Sequence, residues 1–188
     1  MSLHKIQGWI AKWDTLPWQH VNLEVYKNMP TLVVAECMYA LICFLSLVHA
    51  FSHQSKVQKH RHLLLWACSI SVGPLFCLLC MCVYEMNFFW YGQATVMVTP
   101  RFPLYILFES CSILYISTAL SWFSGIQSPL ISGLLVAIFR FSHDMISGKM
   151  LWLTWHDSDN NVDPRIMMVP ISSTFGTCIY ATCFAYIL

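Results

Sequence analysis

The sequence predicts an all-α membrane protein: a polytopic bundle of about five transmembrane helices, preceded by an interfacial amphipathic helix. Hydrophobic residues make up 57% of the chain and charged residues only 10%, whereas an ordinary soluble domain carries about 25% charged residues. The mean hydropathy of +0.59 agrees. Apolar residues also fall in runs of about 20, the length a helix needs to cross a bilayer. Soluble enzyme classes are therefore excluded, and a net charge of +1 gives no reason to expect nucleic acid as a partner.

Residues 1–30 form the first predicted segment. Ile6, Trp9, Ile10 and Trp13 recur at helical spacing, so they line one stripe of a helix. Tryptophan at this density is typical of the headgroup region, which predicts a helix lying in the membrane interface. The alternative is a soluble amphipathic helix packed on a partner protein.

Residues 31–188 form the predicted bundle, because in hydrocarbon every backbone polar group must be bonded within the protein. The long apolar runs lack the alternating pattern of barrel strands, which favours helices. The five predicted spans cover about residues 31–51, 63–84, 104–124, 130–147 and 166–188. The last run reaches Leu188 without a polar tail, which fits a terminus at the far interface or a chain that is part of a longer protein.

The distribution of basic residues predicts the orientation of the bundle. The segment 52–62 carries Lys56, Lys59 and Arg61, so by the positive-inside rule it is predicted to face the cytoplasm, or the matrix of a mitochondrion. Three predicted spans lie between the segment 52–62 and the segment 148–165, so the second segment is predicted to lie on the opposite side. The span lengths do not distinguish one organelle membrane from another.

Six ionisable residues are predicted to lie at nearly one depth in one leaflet, close to the side of segment 148–165. These residues are Glu36, Glu85, Glu109, Arg140, His143 and Asp144. A charge in hydrocarbon is costly unless it is paired or solvated, so such residues indicate a functional site by default. Arg140 and Asp144 are four residues apart on one helix and can pair with each other.

The loop that follows could bring further polar groups over this cluster, namely His156, Asp157, Asp159, Asp163 and Arg165. One interpretation is an active site, with candidate catalytic residues His143, Asp144, His156 and Glu109. Such a site could use a divalent metal as cofactor, with His143, His156 and Asp157 as the candidate ligands. A second interpretation is a cation or proton pathway. The structural alternative is a salt-bridge network that neutralises itself, beneath a loop whose aspartates are simply solvated.

A second group of histidines lies at the other end of the predicted helices. His49 and His53 are four residues apart, and His60 and His62 follow in the basic segment. The spacing of the first pair resembles the start of a histidine box in membrane di-iron desaturases and hydroxylases. Those families need several boxes that include adjacent histidines, which this chain lacks. The segment is therefore interpreted as a basic juxtamembrane region that contacts anionic lipid.

Small residues recur every four positions on two predicted spans, at Ser117, Ser121 and Gly125 and at Ser173, Thr177, Ala181 and Ala185. Such faces let helices approach closely in a bilayer, so they are predicted to pack within the bundle or against a partner subunit. Membrane lipids and other membrane-protein subunits are the predicted partners. The first functional hypothesis is a non-catalytic accessory or structural subunit of a membrane assembly. The alternatives are a membrane-embedded enzyme acting on a lipid-like substrate, and a transporter, channel or receptor-like module.

Overall fold

A computed structural model of the chain describes residues 24–82, 89–92, 94–99, 102–123, 128–155 and 163–188. The predicted interfacial helix lies almost entirely outside the described residues. The same holds for five residues singled out above: Glu85, Gly125, His156, Asp157 and Asp159.

Helices account for most of the described chain. In order they are α1 Glu24–Asn28, α2 Pro30–Ser52, α3 Lys56–Cys82, α4 Tyr105–Phe123, α5 Pro129–Lys149 and α6 Ile171–Ile187. Prolines begin α2 and α5, where the missing N–H costs no helical hydrogen bond. Four of these helices, α2 to α5, are long and apolar enough to cross a membrane, and α6 is a shorter apolar helix of 17 residues. The predicted all-α membrane bundle is confirmed.

Two helices begin at residues that differ from the starts of the predicted spans. Helix α3 begins at Lys56 rather than near residue 63, so most of the basic segment 52–62 is helical. Lysine, glutamine and arginine are good helix formers, and no proline or glycine interrupts them there. Helix α6 begins at Ile171 rather than near residue 166, because the preceding residues form a small hairpin that ends at Pro170.

Short strands, which the sequence did not predict, connect the helices at one end of the bundle. They are β1 Phe89–Tyr91, β2 Met97–Thr99, β3 Phe102–Pro103, β4 Leu153–Trp155, β5 Arg165–Ile166 and β6 Val169–Pro170. Strand β1 pairs antiparallel with β4, which places Tyr91 opposite Leu153. This pair therefore joins the connection after α3 to the connection after α5. Strands β2 and β3 pair with each other, as do β5 and β6.

The buried apolar residues form two clusters along the bundle. One cluster lies at the strand end and includes Tyr91, Phe102, Ile106 and Leu153. The other lies towards the opposite end and includes Ala50, Leu65, Leu114, Tyr115, Ala181 and Phe184. By contrast, one face of α2 exposes Val34, Met38, Leu41, Leu45 and Val48, each by about half or more. A continuous apolar face of this kind is suited to lipid.

Small residues do allow close helix packing, and two of the close contacts involve glycines that were not predicted as packing residues. A side chain on Gly133 of α5 would come within 2.7 Å of the carbonyl oxygen of Cys178 in α6. A side chain on Gly73 of α3 would likewise collide with the side chain of Ser110 in α4. Among the predicted packing residues, the structure buries Ser117, Ser121 and Ala181, and it half-buries Ser173, Thr177 and Ala185.

Candidate functional site

Arg140 is the centre of a charged network between α4 and α5. Its Nη1 donates a short hydrogen bond to Oε1 of Glu109, and its Nε lies 3.0 Å from Oδ1 of Asp144. Glu109 is fully buried near the start of α4, and Asp144 lies one helical turn after Arg140 on α5. The structure therefore brings together three of the predicted intramembrane charges, from two neighbouring helices.

His143 completes this network. Its Nδ1 lies 3.2 Å from the same oxygen of Glu109 and 3.4 Å from Oδ1 of Asp144, while its Nε2 lies 3.0 Å from the hydroxyl of Ser147. Carboxylates only accept hydrogen bonds when ionised, so Nδ1 carries the proton. Both nitrogens of this buried imidazole are therefore engaged by neighbouring side chains. The histidine-to-serine spacing of four residues was visible in the sequence but was not recognised as a pair.

The charges of the network nearly cancel. Two carboxylates face one guanidinium, so the set carries one net negative charge when His143 is neutral and none when it is an imidazolium. We name Glu109, Arg140, His143 and Asp144 the leaflet network. Glu109, His143 and Asp144 are buried, and Arg140 is partly buried, with 17% of its side-chain surface exposed. The Oε2 atom of Glu109 has no hydrogen-bond partner among the described residues.

Tyr91 joins the leaflet network from the strand end. Nη2 of Arg140 donates to its hydroxyl oxygen at 3.3 Å, and Sγ of Cys77 lies 3.9 Å from that oxygen. Burial raises the pKa of Tyr91 well above its usual value, so the phenol stays neutral. No pattern in the sequence places Tyr91 here, because strand β1 that carries it was predicted as loop.

Of the remaining predicted site residues, the structure describes Glu36, Asp163 and Arg165, and the hydrogen bond of the first and the ion pair of the other two lie outside this network. Oε1 of Glu36 accepts a hydrogen bond from the backbone N–H of Thr95 at 3.0 Å, and within the described part of the chain Glu36 forms no ion pair. Asp163 and Arg165 lie on the segment before α6 and form an ion pair of 3.5 Å, with Asp163 largely exposed. The depth of Glu36 was predicted, but its partner is a loop backbone and not another charge.

A histidine cluster lies at the opposite end of the bundle. His49 is near the end of α2, His53 follows that helix directly, and His62 is in the second turn of α3. One ring nitrogen from each of the three lies within 4.8 Å of the others. We name these residues the histidine triad. Among the described residues, these three side chains are close enough together to bind one metal ion.

The triad lines a cavity of about 590 Å³ together with Arg61, Tyr115 and Trp122. The hydroxyl of Tyr115 lies 2.8 Å from Nδ1 of His49 and 3.2 Å from Nδ1 of His62. The rings of His53 and His62 are stacked with centroids 4.0 Å apart. The sequence contained the four-residue spacing of the first two histidines, but it gave no sign of the tyrosine that connects two members of the triad.

Comparison with known proteins gives a family but no activity. Residues 2–188 match the family model described as "Domain of unknown function (DUF7802)", so the chain belongs to that family. No similar curated protein was found, and no similar solved structure was found.

Proposed function

We propose that this member of the family acts as a non-catalytic, membrane-embedded accessory or structural subunit of a larger membrane assembly. The observation that supports the proposal is the closed pairing of the leaflet network. Three of the four candidate catalytic residues, Glu109, His143 and Asp144, contact one another or Arg140 and are almost fully buried. Their arrangement joins α4 to α5 and suits a structural role.

A catalytic role would need a different arrangement. A general acid or base must reach the proton that it transfers to or from a substrate, within about 3 Å or through one water. In the leaflet network Nδ1 of His143 is directed at two carboxylates and Nε2 at Ser147. A substrate could use this imidazole only after breaking one of these contacts.

The proposal can be tested by replacing the charges with neutral groups of similar shape. The triple variant Glu109→Gln, Arg140→Met and Asp144→Asn removes every formal charge of these three side chains together. Replacing a buried ionic triad in this way is often neutral or even stabilising for a fold, provided that no charge is left unpaired. A structural network therefore predicts that the triple variant still enters the same assembly as the unmodified chain.

The measurement is the size of the native membrane complex, solubilised in a mild detergent and resolved by native electrophoresis or mass photometry. We expect the triple variant and the unmodified chain each to migrate in a complex of the same size, which is larger than a single chain of 21.7 kDa. A monodisperse single chain from native membranes would contradict the subunit role. The enzyme alternative would be favoured if the triple variant assembled normally but lost the cellular phenotype that the unmodified chain supports.

A further inference from the structure

We propose that the histidine triad of His49, His53 and His62 is a binding site for one divalent transition-metal ion. The site lies at the end of the bundle opposite the strands, and it shares no residue with the leaflet network. It does not depend on the subunit role proposed above, because a subunit and an enzyme can each carry such a site.

The helix geometry brings the three imidazoles together. His49 lies in the last turn of α2 and His53 directly follows that helix, and their ring centres are 4.9 Å apart. The chain then reverses through a short connection, and the beginning of α3 places His62 beside them. The triad is thus built from the end of α2, the connection that follows it and the beginning of α3.

The separation of the nitrogens requires only a small adjustment. Zinc binds imidazole nitrogen at about 2.0–2.1 Å in tetrahedral sites, which places neighbouring ligand nitrogens about 3.3 Å apart. One ring nitrogen of each histidine lies within 4.8 Å of those of the other two, so the outermost must approach by at most about 1.5 Å. His53 is suited to this movement because it lies beyond the last residue of α2, in extended backbone, and is only half-buried.

Tyr115 orients the other two ligands. Metal-binding histidines commonly use one ring nitrogen for the metal and donate the other N–H to a fixed acceptor. The oxygen of Tyr115 lies within hydrogen-bond distance of Nδ1 of both His49 and His62. If it accepts from both, each Nε2 is deprotonated and can bind a metal. The Nε2 atom of His53 is buried and has no hydrogen-bond partner in the described chain.

The ligands and the neighbouring charges indicate which ion the site would bind and what would occupy its open position. Three imidazoles favour zinc, copper, nickel or iron over calcium or magnesium, which prefer oxygen ligands. Two cations on the helix that carries His62 are held on aromatic rings, with Arg61 over Trp122 at 3.8 Å and Lys59 over Phe51 at 5.1 Å from the ring centres. Three protein ligands leave one position of a tetrahedral ion open towards the cavity. The positive charge of Arg61 favours an anionic group there.

The test is direct metal binding by the full chain in lipid nanodiscs, purified through a tag that contains no histidine. The probes are Zn²⁺, titrated against a chromophoric chelator, and Co²⁺, whose visible absorption reports tetrahedral nitrogen coordination. We expect one tight ion per chain. His53→Ala and His62→Ala should each weaken binding by more than about 100-fold, and Tyr115→Phe by about 10–100-fold, as is typical for the residue behind a ligand.

His60→Ala is the matched control, because His60 is exposed on the same turn of α3 as His62 but is outside the triad. It should leave the affinity and the cobalt spectrum unchanged. The proposal is overturned if no ion binds at one per chain, or if His53→Ala and Tyr115→Phe bind as the unmodified chain does. Helicity and elution volume are measured for each variant. If His62→Ala does not fold, the other two variants decide, because Tyr115→Phe retains the ring and His53 lies outside both helices.

Discussion

Arg140 is the position where a single substitution should disturb the fold most. Arg140→Met leaves the carboxylates of Glu109 and Asp144 buried without the guanidinium that both contact. Breaking a buried ion pair from one side costs about 3–5 kcal/mol of unfolding free energy. Asp144→Asn should cost less, because Arg140 keeps Glu109. In the double variant Arg140→Met and Asp144→Asn, one carboxylate remains beside His143, so the loss should be smaller than the sum of the two single losses by about 1–3 kcal/mol.

The assay is reversible unfolding in mixed micelles, in which sodium dodecyl sulfate is increased and helicity is followed by circular dichroism. Ser142→Ala is the control on the same helix, since that hydroxyl is exposed and bonds to the backbone of Ile138 in its own helix. Its effect should stay within about 0.5 kcal/mol. Additive losses in the cycle, or an Arg140→Met variant as stable as the control, would show that the leaflet network is not energetically coupled.

Three further predictions use the same unfolding assay. Gly133→Ala should lower the unfolding free energy by about 1–3 kcal/mol, because the new methyl group meets the backbone of α6. The control is Gly176→Ala, whose added methyl group meets nothing within 4 Å. It should be neutral or stabilising by up to about 1 kcal/mol. Met168→Gly should stabilise the β5–β6 hairpin by about 1 kcal/mol, because Met168 has a φ of 73° that glycine adopts without strain; an unchanged midpoint would refute this. Tyr91→Phe should cost about 1.5–3 kcal/mol through the lost hydrogen bond to Arg140. The pKa of Tyr91 is raised in the fold, so its neutral phenol contributes stability that is fully present below the unfolded pKa of about 10 and lost as the pH rises through the folded pKa. The phenylalanine variant should therefore lose less stability than the unmodified chain above pH 10, and an equal loss would contradict this.

The helices could be predicted more fully than the connections between them. Apolar run length is a local property, so α2, α4 and α5 lie within a few residues of their predicted spans. The start of α3 was missed because its first turns carry Lys56, Lys59 and Arg61, which hydropathy assigns to a loop although their helix propensity is high. The strands were missed because they are only two or three residues long and pair with distant parts of the chain, as β1 does with β4.

The leaflet network was predictable only in part, because one of its ion pairs lies within a single helix and the other joins two helices. The pairing of Arg140 with Asp144 follows from helical spacing alone, and the structure contains it. The contact of Arg140 with Glu109 requires that α4 and α5 face each other with a particular rotation, which no local pattern specifies. Glu36 has a similar depth in the sequence, yet it hydrogen-bonds to the backbone of Thr95.

The sequence by itself determined an all-α bundle with helices long and apolar enough to cross a membrane, because apolar run length and charge content are local properties of the chain. Tertiary structure decided which polar groups meet. It joined His62 to His49 and His53 and placed Tyr115 between two of them, whereas the sequence favoured the other end of the bundle as the site of interest. The physical reason is that contacts between helices depend on their rotation and closest approach. In this chain, packing at small residues such as Gly73 and Gly133 decides these quantities, and hydropathy does not.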